Sequence, residues 1–503
     1  MSFFNKLACA VAVSAVAFSA TAANNNHDWA RGSHQVDTSI GKLEYYNGFP
    51  TDETAQKLYD ELDYQRAVQA YIDTVPFVAY QGWYEGLVKI GAGKVTDTPV
   101  FTKMLDASTC IFTGNETTIY GANAFFLNGK PVVLEIPAGI MAGLINNAWQ
   151  QELTPIGLVG PNQGKGGKYL ILPPGYEGDI PEGYQVIQSD TDKIVWMARG
   201  FVTPNQTEEG ARDLLRKING YELANAGKNN KPNIVDLGEG ADDWCYTETN
   251  GYFDQLARGW EKEPGRVQDK MLQGKLYTLG IPVGEKRVAP DARLQKILDK
   301  AEVMGRSMVN TIAYASKDED ITKWEGRKYE NVFLGKDATV WENDKYIEVD
   351  RRAQYTYQAI TASHAMVAEW VGKGSKYFAG TVDNDGKRYD GANTYRVPVP
   401  AKVPAGRFWS VTLYDSATRS ILKNKTGVAS IDSYGDFERN SDGSVDIILS
   451  PNKPEGMEKN WIQTNEGAGY FFYFRVYSPE KEYYTSFIMD DVEHVKDGEV
   501  SLR

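Results

Sequence analysis

The chain has 503 residues, 42% of them hydrophobic, and a formal net charge of −13 at pH 7. That length holds two or three domains with real cores. The acidic balance argues against nucleic acid, which requires clustered Lys and Arg, and against an anionic membrane surface; it suits an exported protein kept soluble by its charge.

The N-terminus reads as a cleavable secretion signal. Lys6 is the sole charge before His27 and Asp28, an apolar run covers 7–18, and Ala20-Thr21-Ala22 supplies the small-x-small pattern of signal peptidase. The run is shorter than the about 20 residues a spanning helix needs. Cys9 precedes the apolar core, too early for a lipoprotein. Cleavage is expected after Ala22, so residues 1–22 leave and the loss of Lys6 takes the charge to −14. No later stretch is apolar enough to span a membrane, and the expected location is periplasmic or secreted. Two cysteines survive, Cys110 and Cys245. They are either a bridge, which an oxidising compartment permits and which is worth up to about 4–5 kcal/mol for a loop of that size, or two buried thiols.

Short strands broken by Gly, Pro and Asn are expected over 117–201: at 131–137, 168–172, 184–188 and 194–201. Helical spacing follows. It places Ala211, Leu214, Leu215 and Ile218 on one face, then Phe253, Leu256, Ala257 and Trp260 on another. Leu294, Ile297, Leu298, Ala301, Met304 and Met308 form a longer stripe, read as core rather than a cofactor box. Residues 355–370 also read as helix. A second β region begins near Thr394. In it Trp409, Val411 and Leu413 share one strand face, and Ser410, Thr412 and Tyr414 the other. Asn440-Ser441-Asp442-Gly443 reads as a hairpin turn before a strand at 445–449. On the aromatic strand 470–477, Arg475 shares a face with Phe471, Tyr473 and Tyr477.

Familiar catalytic patterns fail. Residues 160–168 are Gly- and Lys-rich, but Asn162 and Tyr169 stand where a phosphate loop needs Gly and Ser or Thr. Asp383-Asn384-Asp385-Gly386 has Thr381 and Ala392 at the outer ligand positions of a calcium loop, so it reads as a turn. The four His (His27, His34, His364 and His494) have no zinc spacing, and neither a Gly-x-Ser-x-Gly elbow nor a dinucleotide fingerprint occurs. No metal and no cofactor is expected.

Other segments carry a resemblance. They are 115–120, 129–137, 169–176 and 195–199 in the first half, then 408–415 with Arg419, 440–444, Asn460-Trp461 and Arg475 in the second. In this order the chain resembles exported bacterial proteins with paired DUF1254 and DUF1214 domains. Residues 138–149 are apolar where the family is usually polar, and the first helix, around 67–76, keeps part of its pattern. The resemblance implies a mainly β fold: two jelly-roll-like antiparallel β-sandwich units joined by a helical region. The expected division is 1–22 signal peptide, 23–205 DUF1254-like β domain, 206–370 helical connection and 371–503 DUF1214-like jelly roll.

Matched polar positions supply the candidate site: Asn115, Tyr120, Arg199, Tyr414, Arg419, Asn460, Trp461 and Arg475 for a ligand, with Tyr414 and Asp415 as candidate acid–base groups. Arg475 among aromatics suits a carboxylate or phosphate, or stacking on a sugar or aromatic ring, so the expected ligand is a small molecule or a glycan. The bland alternatives are a turn at Asp415-Ser416 and buried arginines that join sheet to helix. Two functions stand: a ligand-binding or assembly protein, expected as a homo-oligomer, or a hydrolase acting on a glycan or cell-envelope component. Whether the chain is an enzyme stays open at this level. An oxygen- or metal-dependent enzyme is disfavoured by the few His.

Overall fold

The structure is a computed structural model that describes residues 32–203, 205–238, 243–335, 337–496 and 500–503. The expected signal peptide, 1–22, lies outside the described residues. The chain divides into two compact units, 1–63 and 64–503. The described part of the first holds a small antiparallel sheet, β1 (Ser33–Thr38), β2 (Gly41–Tyr46) and β3 (Phe49–Pro50). Helix α1 (Asp52–Lys89) begins there and runs on into the second unit.

The first half of the large unit is a two-sheet sandwich. Its elements are β4 (Asp97–Phe101), β5 (Ile119–Phe126), β6 (Val132–Ile136), β7 (Met141–Asn147), β8 (Glu152–Gly157), β9 (Gly167–Leu172), β10 (Gln185–Gln188), β11 (Lys193–Gly200), α2 (Glu208–Leu215), β12 (Asn219–Glu222) and β13 (Asn233–Leu237). One sheet runs β13-β4-β5-β11-β7-β8 and the other β10-β9-β6-β12. Two-residue periodicity gives the six-stranded sheet two buried faces. On β11, Ile194, Trp196 and Ala198 join the sandwich core, while Val195 and Met197 join a second, larger core on the opposite side. Arg199 lies in register with Met197 and therefore on that second face.

Helices α3 (Tyr252–Trp260), α4 (Lys270–Thr278) and α5 (Ala292–Tyr314), the short β14 (Glu330–Asn331), and helices α6 (Val349–Gln358) and α7 (His364–Val367) follow. The second sandwich contains β15 (Ser375–Gly380), β16 (Tyr395–Val399), β17 (Trp409–Asp415), β18 (Ser430–Asp432), β19 (Val445–Ser450), β20 (Trp461–Gln463), β21 (Tyr470–Tyr477), α8 (Lys481–Thr485) and β22 (Glu493–His494). Its sheets run β14-β15-β21-β17-β18 and β20-β19-β16-β22. The fold is thus mainly β, with helices between two sandwiches. The sheets are mixed: β4–β13, β9–β10 and β19–β20 pair in parallel. No helix among the described residues is long and apolar enough to cross a membrane.

Several expected elements changed. The first helix runs through Pro76 to Lys89, although proline removes a helix hydrogen bond; the side chains of Val75, Phe77, Val78, Tyr80 and Trp83 are all fully buried, and packing overrides the local cost. The helix expected over 355–370 ends at Gln358. Ala359 turns extended, and Thr361 adopts a left-handed backbone with φ 66°. The Thr361 amide donates to Gln150 (2.9 Å) and its carbonyl accepts from the Tyr355 hydroxyl (2.5 Å), so tertiary hydrogen bonds replace helical ones. Met304 and Met308 are 40% and 42% exposed, not core. The turn at 440–443 forms, with the Gly443 amide on the Asn440 carbonyl at 2.9 Å. It joins strands of different sheets rather than a hairpin. The turn at Asp383 forms as expected, its carboxylate accepting from the Asp385 and Lys387 amides.

Candidate functional site

The two sandwiches face one another across largely apolar strand faces into which a few polar side chains are set, and two adjoining chambers lie where they meet. The inner chamber, about 50 Å³, is lined by Asn115, Tyr120, Met197, Arg199, Tyr377, Tyr473 and Arg475, with the unwound residues Ala359, Ile360 and Thr361. The outer chamber, about 200 Å³, shares Met197 and Arg199 and adds Leu144, Phe201, Lys373, Ser375, Arg407 and Tyr477. Arg407 and Lys373 are exposed, while Ser375, Tyr377 and Arg475 are buried. Among the described residues no Asp or Glu lines either chamber. In a chain of net charge −13, Arg199 and Arg475 line the inner chamber and Arg199, Lys373 and Arg407 the outer, with no carboxylate among the described residues in either wall.

Strand register explains the grouping. Tyr377 faces Arg475 across the β15–β21 ladder, and Ser375 faces Tyr477. Tyr120 faces Arg199 across β5–β11. Between the sandwiches, Asn115 Nδ2 donates to the Tyr477 hydroxyl at 2.6 Å, and Arg475 Nη2 donates to the Thr113 carbonyl at 3.0 Å. The Tyr414 hydroxyl donates to the Gly114 carbonyl at 2.6 Å. The Arg475 guanidinium lies 5.1, 5.6 and 5.4 Å from the ring centres of Tyr377, Tyr414 and Tyr473. Among the described residues its Nη1 and the Tyr473 hydroxyl are buried without a well-aligned hydrogen-bond partner, although Arg475 also reaches the Tyr414 hydroxyl and Tyr473 reaches Thr113. Such groups are costly unless a ligand or water satisfies them.

The cavity also shifts titrations. Burial pushes the Tyr377 hydroxyl upward, but Arg199 and Arg475, with hydrogen bonds from Ser375 and Arg199, more than offset it and hold the phenol below its ordinary value. Next to Asn115, burial pushes the Glu116 carboxyl up to about 8, helped by Asp106 and opposed by Arg475.

Residues 97–222 match DUF1254 and residues 374–481 match DUF1214, both described as proteins of unknown function. The chain is a DUF1254/DUF1214 domain-containing protein. The cavity is therefore bounded by one strand set from each domain: Tyr120 and Arg199 from DUF1254, Ser375, Tyr377, Tyr473, Arg475 and Tyr477 from DUF1214. The VPA0106 protein from Vibrio parahaemolyticus has a similar fold, with a TM-score of 0.52 at 18% identity over 86% of this chain and 100% of that one. An uncharacterised protein from Burkholderia cenocepacia aligns over 88% of this chain and 97% of that one, at 10% identity and a TM-score of 0.40. No curated protein matches the chain.

Of the candidates read from the sequence, Asn115, Tyr120, Arg199 and Arg475 line the inner chamber, and Tyr414 packs behind Arg475. The others lie elsewhere in the DUF1214 domain. Asp415 Oδ1 accepts from the Ala417 and Thr418 amides and closes a turn. Asn460 is fully buried and braces the Glu438 and Asp446 carbonyls. Trp461 Nε1 donates to the Ser450 carbonyl at 3.0 Å. Arg419 pairs with Glu248 at 2.5 Å rather than with Asp415. Sequence reasoning passed over Ser375, Tyr377 and Glu116. The spacing of Ser375 and Tyr377 on one strand face was the available clue, but nothing in the chain announced that Arg199, some 176 positions earlier, would meet them. Cys110 and Cys245 form a disulfide.

Proposed function

We propose that this protein is exported and binds a small anionic, partly apolar molecule in the cavity between its two domains. One observation carries the reading: Arg199 and Arg475 line one chamber, Arg199, Arg407 and Lys373 the adjoining one, and no carboxylate among the described residues lines either. A buried guanidinium without an acid is expensive, and a carboxylate or phosphate supplied by a ligand removes that cost. Leu144, Met197 and Phe201 would cover the apolar part. An uncharged glycan would leave the guanidiniums unpaired, so an acid is favoured over a neutral sugar. Export is supported by the residues at 6–22 and agrees with the Cys110–Cys245 bridge.

The test is a thermal-shift panel on the mature protein: aliphatic and aromatic acids, uronic acids, phosphorylated fragments and neutral oligosaccharides. A ligand at 100 times its Kd adds about 2.7 kcal/mol to stability. An acid is expected to raise the Tm, with the shift lost in Arg475→Met. Stabilisation by neutral sugars, unchanged in that variant, overturns the reading.

A further inference from the structure

Across the two chambers lies a pair of hydroxyls that binding alone does not use. Ser375 and Tyr377 are two apart on β15, so their side chains leave the strand on one face. Ser375 Oγ donates to Tyr377 Oη at 3.0 Å, within the reach a general base needs. Ser375 lines the outer chamber and Tyr377 the inner, with Arg199 lining both and hydrogen-bonded to Tyr377. Gly374, with φ 67°, lets the strand start close against α7; a Cβ there would overlap the Ala365 carbonyl oxygen. Ser375 is thereby held at the wall of a chamber open to exposed Lys373 and Arg407.

We propose that Ser375 is a nucleophile and Tyr377 its general base, and that the protein hydrolyses an acyl ester whose free acid group is held by the cavity arginines. Ser375 Oγ attacks the carbonyl carbon while its proton passes to Tyr377 Oη. The bond from that carbon to the alcohol oxygen breaks, and the alcohol leaves with the proton from Tyr377. Water then attacks the acyl-serine, again giving its proton to Tyr377, and serine departs with that proton. The balance is ester and water to acid and alcohol. Arg199, a half-buried cation in the same chamber as Ser375, is placed to stabilise the negative charge that grows on the carbonyl oxygen. The groups facing Tyr377 support a basic phenol: Arg199 from β11, Arg475 from β21 and Ser375 from its own strand favour the ionised form, while burial opposes it.

This goes beyond ligand binding but shares the cavity, so the probe must not need anion recognition. Diisopropyl fluorophosphate, small and neutral, is added to the mature protein between pH 7 and 9 and followed by intact mass and peptide mapping. One adduct is expected, on Ser375, lost in Ser375→Ala. Tyr377→Phe is expected to slow labelling by about 100-fold or more and to remove the rise in rate with pH. No adduct, an adduct elsewhere, or a Tyr377→Phe variant labelled at the wild-type rate overturns the proposal. Should Ser375→Ala fail to fold, the mapped site on the wild-type chain decides. Labelling without an acid-induced Tm shift would sink the binding reading and leave the nucleophile standing.

Discussion

Two buried arginines in the DUF1214 domain have similar aromatic settings and opposite electrostatic ones. Arg419 lies 4.1 Å from the Tyr357 ring centre and 4.7 Å from that of Phe112, and every arm of its fork is used. Nε reaches the Tyr357 carbonyl at 3.1 Å, Nη1 the Ala417 carbonyl at 2.6 Å and Nη2 the Glu248 carboxylate at 2.5 Å. Arg475 has three aromatic neighbours, one carbonyl and the Tyr414 hydroxyl within reach, and an Nη1 with no well-aligned partner among the described residues at a cavity. A satisfied arginine joins parts of the fold; an unsatisfied one at a void is where a ligand's acid can go. Sequence alone ranks the two alike, since each is an Arg near aromatics.

The disulfide gives the largest expected effect because it fastens the segments that serve both arginines. Cys110 leads into Phe112 and Thr113, and Cys245 leads to Glu248. Cys110→Ser is expected to cost about 4 kcal/mol in denaturant unfolding and to weaken acid binding as well. Acid binding unchanged in that variant would separate the two regions.

Next comes the direct contrast. Arg419→Met should lower stability by about 3 kcal/mol, because Glu248 loses its shortest ion pair and two carbonyls lose donors. Arg475→Met should change stability by no more than about 1 kcal/mol, since Glu116, the carboxyl within its reach, is held protonated near neutral pH by burial and loses no ion pair. Equal losses in urea titrations of the two variants would break the comparison.

Glu116 sharpens it through pH. Its carboxyl titrates at about 8 in the folded protein, against about 4.3 for an ordinary Glu. A raised carboxyl favours folding at low pH, and that contribution is lost as pH rises from about 4 to about 8. Glu116→Gln should therefore stabilise the protein at pH 8 and leave it nearly unchanged at pH 4. A flat difference across that range would mean that Glu116 stays ionised beside Arg475. The smallest effect belongs to Asp415→Ala, about 1 kcal/mol from a lost turn hydrogen-bond pair, with acid binding intact; lost binding would return Asp415 to the site.

The β periodicity of strands β11, β17 and β21 was legible because alternation is local, and the ends of α2 and α3 followed their apolar stripes to within a few residues. Alternation did not say that the polar face of β17, with Ser410, Thr412 and Tyr414, would be as buried as its apolar face. That required a second sheet opposite. The break after Gln358 was invisible because its replacement hydrogen bonds come from Gln150, about 200 positions away. The pairing of Cys110 with Cys245 stayed open for the same reason.

By itself, then, the sequence determined the strand and helix faces, the two-domain family and the acidic surface, all of which follow from local spacing and composition. Only the tertiary structure decided which arginines have acids and which face a void. Ion pairing and desolvation depend on distances between residues hundreds of positions apart, and those distances exist only once both sandwiches have closed on their common core.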